Sequence, residues 1–183
     1  MDPKTSFTVD LSSYAVVGFH ATSELAFRHI ERVGFLPSKV LSNQSHSCIL
    51  RTACVLGIET GSYREWLGMR SVTFAKNLND AISHAKKGFA GGQGANQIID
   101  ILQSISDHGD FHQKGVAAKA LQEIELFKQS PSIICAVNLS SLKDRLVEDR
   151  YSPYYHFYCH PDVPVPKVSE IGPSLVIDKL NIT

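Results

Sequence analysis

The residues best suited to chemistry in this chain stand together where a predicted strand gives way to a predicted helix. His20, Thr22 and Ser23 follow the apolar run "SYAVVGF" and precede a helical pattern that begins near Glu24. An imidazole and two hydroxyls can hydrogen-bond the hydroxyls of a sugar. Hydroxyl side chains at such a position are also the usual caps of a helix N-terminus. Two interpretations therefore stay open here: a capped helix, and a binding site for a sugar-phosphate ligand.

The hydrophobic pattern predicts the elements that hold these residues. The buried run Ser13–His20 predicts a strand, and Ala26, Ile30 and Val33 recur at helical spacing before Gly34 ends the helix. Further strands are predicted at Ser71–Ala75, Ser132–Leu139, Tyr154–His160 and Ser174–Leu180. Further helices are predicted at His46–Ile58, Ser62–Met69 and Asn79–Phe89, within Ile98–Ser106 and within Gly115–Lys128. This order predicts an α+β fold with an antiparallel or mixed sheet, because regular βαβ alternation is missing.

Composition limits the classes of function. The 183 residues suit a single domain spanning residues 1–183, in which we expect residues 1–10 to be flexible. Lys+Arg and Asp+Glu both number 18, so net charge gives no reason to expect a nucleic acid or a membrane surface as partner. No apolar run approaches the ~20 residues of a membrane span, and the polar start does not resemble a secretory signal peptide. We therefore expect a cytoplasmic protein.

The cysteines and the glycine-rich segment give no sign of a metal or phosphate motif. The four cysteines form no C-x-x-C pair; they are Cys48, Cys54, Cys135 and Cys159. A zinc site from His156, Cys159, His160 and a distant cysteine would match no tetrahedral spacing pattern, so we expect no metal. The segment "GFAGGQG" lacks the Lys-Ser/Thr of a phosphate-binding P-loop, and a helix precedes it where a dinucleotide fingerprint needs a strand. The chain also lacks a G-x-S-x-G nucleophile elbow.

Three segments in order resemble the motifs of the ADP-ribosyltransferase superfamily. Gly18–Ser38, "GFHATSELAFRHIERVGFLPS", resembles the first motif, a strand ending in histidine followed by a helix and Gly-Phe. Ser71–Ala85, "SVTFAKNLNDAISHA", resembles the second, and Lys167–Ile177, "KVSEIGPSLVI", resembles the third, a glutamate before a C-terminal strand. The resemblance is to the divergent His-x-Glu type, and it implies a split, mostly antiparallel sheet with flanking helices.

This resemblance implies a reaction on NAD, with NAD as the substrate and no metal. Nicotinamide is a cationic leaving group, so cleaving its bond to ribose needs no general acid, unlike ordinary glycoside hydrolysis. Positive charge spreads onto the ribose in the transition state, and a facing carboxylate stabilises it. By resemblance that carboxylate is Glu170, and His20 is the second catalytic candidate. ADP-ribose would pass to a protein acceptor.

The remaining site residues are also carried over from the resemblance. His20, Thr22 and Ser23 would bind ribose hydroxyls, and backbone groups around Ala21 would bind the carboxamide of nicotinamide. The ring of nicotinamide would be held by Phe74, by His84, and by Thr73, which stands where the family has a tyrosine.

Two alternatives to the transferase stay open. The first is a catalytically inactive member of the same fold that serves as a binding or interaction module. The second is an enzyme like an RNA 2′-phosphotransferase, although the neutral chain lacks a paired His/Arg motif around residue 71.

Overall fold

A computed structural model describes residues 6–35, 43–60, 71–86, 93–148, 153–158 and 171–182. Glu170, Cys159, His160 and the predicted helix Ser62–Met69 lie outside these residues. The chain divides into two compact units. The first comprises Met1–Ser38, Arg70–Ala90 and Ser130–Thr183, and the second comprises Lys39–Met69 and Gly91–Gln129. A single domain over the whole chain therefore remains a prediction.

The first unit is built on a six-stranded sheet. Its strands are β1 (Val17–Ser23), β2 (Ser71–Ala75), β3 (Ser132–Asn138), β4 (Leu146–Glu148), β5 (Tyr154–Tyr158) and β6 (Val176–Ile182). Their order in the sheet is β4-β5-β2-β1-β3-β6, and every neighbouring pair is antiparallel. This confirms the predicted α+β class with an antiparallel sheet.

The helices are divided between the two units. They are α1 (Glu24–Val33), α2 (Asn43–Val55), α3 (Leu78–Lys86), α4 (Gln93–His108) and α5 (Phe111–Gln129). Short 3-10 helices span Leu11–Ser13, Ser140–Arg145 and Pro173–Leu175. Helices α1 and α3 belong to the unit that contains the sheet, and α2, α4 and α5 form the second unit. None of the helices in the described ranges is long and apolar enough to cross a membrane.

Helix α1 begins and ends where its sequence says it should. The Ser23 hydroxyl accepts a hydrogen bond from the Ala26 N–H at 3.1 Å, which satisfies one unpaired donor of the first turn. At the other end Gly34 adopts φ 82°, and its N–H donates to the Ile30 carbonyl at 2.8 Å. A residue without a Cβ adopts this conformation freely. The chain therefore leaves α1 in a fixed direction, towards Phe35.

Buried side chains cover both faces of the sheet. Strand β3 lies inside the sheet, and its residues 133–137 are all buried. Because successive side chains of a strand point to opposite faces, Cys135 belongs to one hydrophobic cluster and Ile134 to the other. The cluster that contains Cys135 is called here the aromatic core. Its members are Phe27, Ile30, Phe35, Val72, Phe74, Ile133, Cys135, Val137, Leu139, Phe157 and Ile171.

The segment before β1 contacts the sheet at two points. The ring of Phe7 stacks on that of Phe19 with 5.8 Å between centroids. The Thr8 N–H and hydroxyl both donate to the Asp178 carboxylate, at 2.6 and 2.7 Å. Phe7 and Thr8, within the segment expected to be flexible, thus both have partners on the sheet.

The second unit has a hydrophobic core of its own. Its fully buried residues include Ile49 from α2, Leu102 and Ile105 from α4, and Ile124 from α5. Both α4 and α5 run longer than the segments predicted for them, because their polar first turns carry little hydrophobic periodicity.

Candidate functional site

Strand β1 is paired very differently with its two neighbours. With β3 it forms seven register pairs, from Val17 opposite Asn138 to Ser23 opposite Ser132. With β2 it forms a single register pair, Phe19 opposite Ala75. A regular antiparallel ladder would next place His20 opposite Phe74, and this pair does not form. The two strands therefore separate directly after Phe19, at His20.

The imidazole of His20 binds a backbone carbonyl of β2 at the point where the two strands separate. Its Nδ1 lies 2.9 Å from the carbonyl oxygen of Thr73. A carbonyl only accepts hydrogen bonds, so Nδ1 carries the proton and donates it. In the neutral ring Nε2 then holds a lone pair and acts as an acceptor. Within the described residues this Nε2 has no hydrogen-bond partner.

Two phenylalanine rings surround the imidazole. The Phe35 ring is nearly perpendicular to it, with 5.1 Å between centroids, and the Phe74 ring is tilted against it, at 5.6 Å. The two phenylalanines also contact each other, at 5.4 Å. Phe35 and Phe74 are 1% and 0% exposed, whereas His20 keeps part of its surface accessible. The three rings form a cluster in which only the histidine reaches solvent.

The surroundings of His20 favour its neutral form. Burial lowers the pKa of His20 below its ordinary value, and the nearby His84 on α3 lowers it further. The hydrogen bond to the Thr73 carbonyl opposes this effect in part. Since the ordinary value is 6.5, the imidazole is neutral at pH 7. The lone pair on Nε2 is therefore available at physiological pH.

Several residues predicted from the sequence thus lie together. His20, Thr73, Phe74 and His84 are linked by the contacts and the electrostatic interaction just described. The Thr73 hydroxyl lies 3.4 Å from Nδ1 of His156, its register partner on β5. The sequence had suggested His156 only as a metal ligand, and nothing in its pattern indicated a position beside Thr73.

Other predicted site residues are placed less favourably for a ligand. Ser23 is fully buried, and its hydroxyl caps α1, so the capped-helix interpretation accounts for it. Thr22 is 6% exposed, and Ala21 is half-buried in β1 opposite Ile134. Phe74 is fully buried and lies against His20, so here it packs beside the imidazole instead of offering a face to a ligand.

Glu170 lies outside the described residues, but the residue after it is well anchored. Ile171 is fully buried in the aromatic core. Its carbonyl accepts a hydrogen bond from the N–H of Phe35 at 2.9 Å. Phe35, whose ring contacts His20, belongs to the first sequence motif but was not predicted as a site residue. The signal was the Gly34-Phe35 pair after α1, since a glycine with positive φ fixes where the next residue lies.

The described residues contain no group of three or more His, Cys, Asp or Glu arranged to hold a metal ion. Comparison of the chain with protein-family models, with curated proteins and with solved structures finds no match. A functional assignment therefore rests on the geometry around His20 and on the sequence motifs.

Proposed function

We propose that this protein is an NAD-dependent ADP-ribosyltransferase, which cleaves the bond between nicotinamide and ribose and transfers ADP-ribose to a protein acceptor. The observation that carries the proposal is His20. It stands where β1 leaves β2, and its Nδ1 is committed to the Thr73 carbonyl. Its partly exposed ring offers Nε2 as a hydrogen-bond acceptor.

A neutral acceptor suits this reaction for two reasons. Nε2 can accept a hydrogen bond from a ribose hydroxyl and so orient the sugar. A neutral ring also adds no positive charge beside a ribose that becomes cationic in the transition state. Burial and the nearby His84 both lower the pKa of His20, which keeps the ring in that state. His20 thus orients the sugar and transfers no proton, since nicotinamide leaves without one.

The carboxylate is assigned to Glu170 by its place in the sequence. It directly precedes Ile171, whose carbonyl accepts a hydrogen bond from the N–H of Phe35. The Phe35 ring contacts His20, so the chain after Glu170 is tied to the histidine through one residue. In the proposed mechanism the Glu170 carboxylate faces the developing charge on ribose, and it stabilises the transition state more than the ground state.

The polar groups near His20 complete the proposed ligand site. His84 is partly exposed on α3, and Thr73 is partly exposed on β2. We assign His84 to the nicotinamide ring and the Thr73 side chain to its edge. Thr22, which is largely buried, and the backbone of Ala21 are assigned to ribose and to the carboxamide.

A second candidate is an inactive member of the same fold that serves as a binding module. One observation favours it: Phe74 is fully buried, and Thr73 offers no ring, so β2 presents no aromatic face to stack on nicotinamide. Such a protein would bind a nucleotide without cleaving it.

The test is to titrate the folded protein with NAD by calorimetry and to follow nicotinamide release by mass spectrometry, with a cell lysate as the source of acceptors. Binding, nicotinamide release and ADP-ribose adducts on protein are the expected result. Binding without release supports the inactive module. Absence of binding at millimolar NAD would reject both.

A further inference from the structure

We propose that Phe35 is a positioning residue, which fixes the orientation of the His20 imidazole and ties it to the chain segment that follows Glu170. The effect on NAD rests on the function proposed above. The effect on the imidazole itself does not, since it concerns contacts within the protein alone.

The hydrogen bond from Nδ1 fixes only one atom of the imidazole. The ring can still tilt about the line to the Thr73 carbonyl, or turn over and break the bond. The perpendicular ring of Phe35 at 5.1 Å and the tilted ring of Phe74 at 5.6 Å limit both movements. Edge-to-face contacts of this kind have a preferred geometry, unlike contacts between aliphatic groups. The ring of Phe35 therefore supports a single orientation of His20.

Phe35 is itself held firmly enough for this role. Gly34, at φ 82°, sets the direction of the chain as it leaves α1. The Phe35 N–H donates to the Ile171 carbonyl at 2.9 Å, and its side chain is 1% exposed within the aromatic core. A residue fixed through both its backbone and its side chain can transmit position from one element to another.

Phe35 makes two contacts that bear on the proposed reaction. Its ring meets the imidazole of His20, and its backbone holds the residue after Glu170. In the proposed reaction the histidine orients ribose while the carboxylate faces its developing charge. Misplacing either group by about 1 Å can cost on the order of 100-fold in rate. Phe35 therefore matters to the reaction although it touches no substrate.

The decisive variant is Phe35→Leu, which keeps an apolar side chain and the backbone N–H but removes the aromatic ring. Its matched control is Phe27→Leu, the same change in the same aromatic core. Phe27 is 3% exposed, and the cation over its ring is Lys179, with Nζ 4.7 Å from the centroid. Both variants replace a buried aromatic ring of the same core by an aliphatic side chain, but only Phe35→Leu removes a ring contact with His20.

The first readout is nitrogen NMR of the His20 ring, assigned by loss of its signals in His20→Ala. In the wild type and in Phe27→Leu we expect one tautomer, with the proton on Nδ1. In Phe35→Leu we expect a mixture of tautomers and a rise of the His20 pKa towards 6.5, because more of the ring is exposed to water. If Phe35→Leu does not fold, Phe35→Met, which fills more of the space, is measured instead.

The second readout is NAD cleavage at saturating NAD. We expect Phe35→Leu to lower the rate by roughly 10- to 100-fold and Phe27→Leu to change it less than about twofold. An imidazole that keeps its tautomer and pKa in Phe35→Leu, or changes equally in Phe27→Leu, would overturn the proposal. If the wild type does not cleave NAD, the proposed function fails, while the NMR comparison still decides the role of Phe35.

Discussion

The two sides of β1 differ in how much of the strand is paired with its neighbour. On the β3 side the strand is paired along its whole length, whereas on the β2 side it is paired at Phe19 alone. His20 and its register partner Cys135 stand on adjacent strands at this point. Cys135 is fully buried, and burial raises the pKa of its thiol to about 12. A thiol that stays protonated is a poor nucleophile, so Cys135, on the fully paired side of β1, is chemically inert.

His20 is the opposite case, although it lies on the same strand. Because the pairing of β1 with β2 does not continue past Phe19, the Thr73 carbonyl is available to accept a hydrogen bond from Nδ1 of His20. Part of the imidazole ring stays accessible. Both groups are shifted towards their neutral forms by burial. The thiol stays protonated and unreactive, whereas the neutral imidazole keeps Nε2 as a hydrogen-bond acceptor. Whether a polar residue is inert or useful here therefore depends on the pairing of the backbone beside it.

Glu170→Gln is expected to give the largest effect on the proposed reaction. The change keeps the shape and a hydrogen bond but removes the charge that would face the ribose. We expect normal folding and near-normal NAD binding, with the rate of nicotinamide release lower by roughly 10²–10³-fold. Release is measured at matched NAD occupancy.

The control is Glu125→Gln, the same chemical change on the exposed surface of α5, where the rate should not change. An equal rate in Glu170→Gln and wild type would remove Glu170 from the site.

His20→Ala should give the next largest effect. Loss of the acceptor Nε2 should weaken NAD binding and slow turnover together, each by about 10-fold, the scale of one hydrogen bond at a buried site. Calorimetry and initial rates measure the two quantities. His112→Ala, which changes an exposed histidine of α5, should leave both at the wild-type value. Normal binding with lost turnover would instead indicate that His20 transfers a proton.

Ser23→Ala tests whether Ser23 caps α1 or belongs to the ligand site. Its hydroxyl caps α1 through the Ala26 N–H, so its loss should reduce the free energy of unfolding by about 1 kcal/mol. We expect no change in NAD affinity. Urea unfolding and calorimetry on the same sample measure the two effects. A weakened affinity at unchanged stability would return Ser23 to the ligand site.

The smallest effect is expected from pH. The folded pKa of His20 lies below 6.5, so the unfolded chain takes up this proton first as the pH falls. The contribution of the neutral ring to stability is complete above that ordinary value and is lost as the pH falls through the folded pKa. NAD affinity should fall in the same range, because protonated Nε2 cannot accept a hydrogen bond. An affinity that is constant from pH 7 to below the His20 titration seen by NMR would contradict this role.

The fold was predictable from the sequence where local signals were strong. Ser71–Ala75 is a strand as predicted, and the buried run at β3 differs from its prediction by one residue. The strand before α1 starts later and ends later than predicted, at Val17 and Ser23. Apolar periodicity marks the middle of an element well, but it does not show whether a neighbouring strand pairs beyond it.

For the candidate site, the sequence by itself determined the residue types and their order: a histidine three residues before Ser23, the serine that caps α1, and Gly34 before Phe35. These depend on local rules of capping and backbone conformation, which act over a few residues. Only the tertiary structure decided that β2 separates from β1 after Phe19 and that the Thr73 carbonyl binds His20. It also decided that Phe35 joins the imidazole to Ile171. Those contacts link residues far apart in the chain, and their geometry is set by the packing of the whole sheet, which no local pattern encodes.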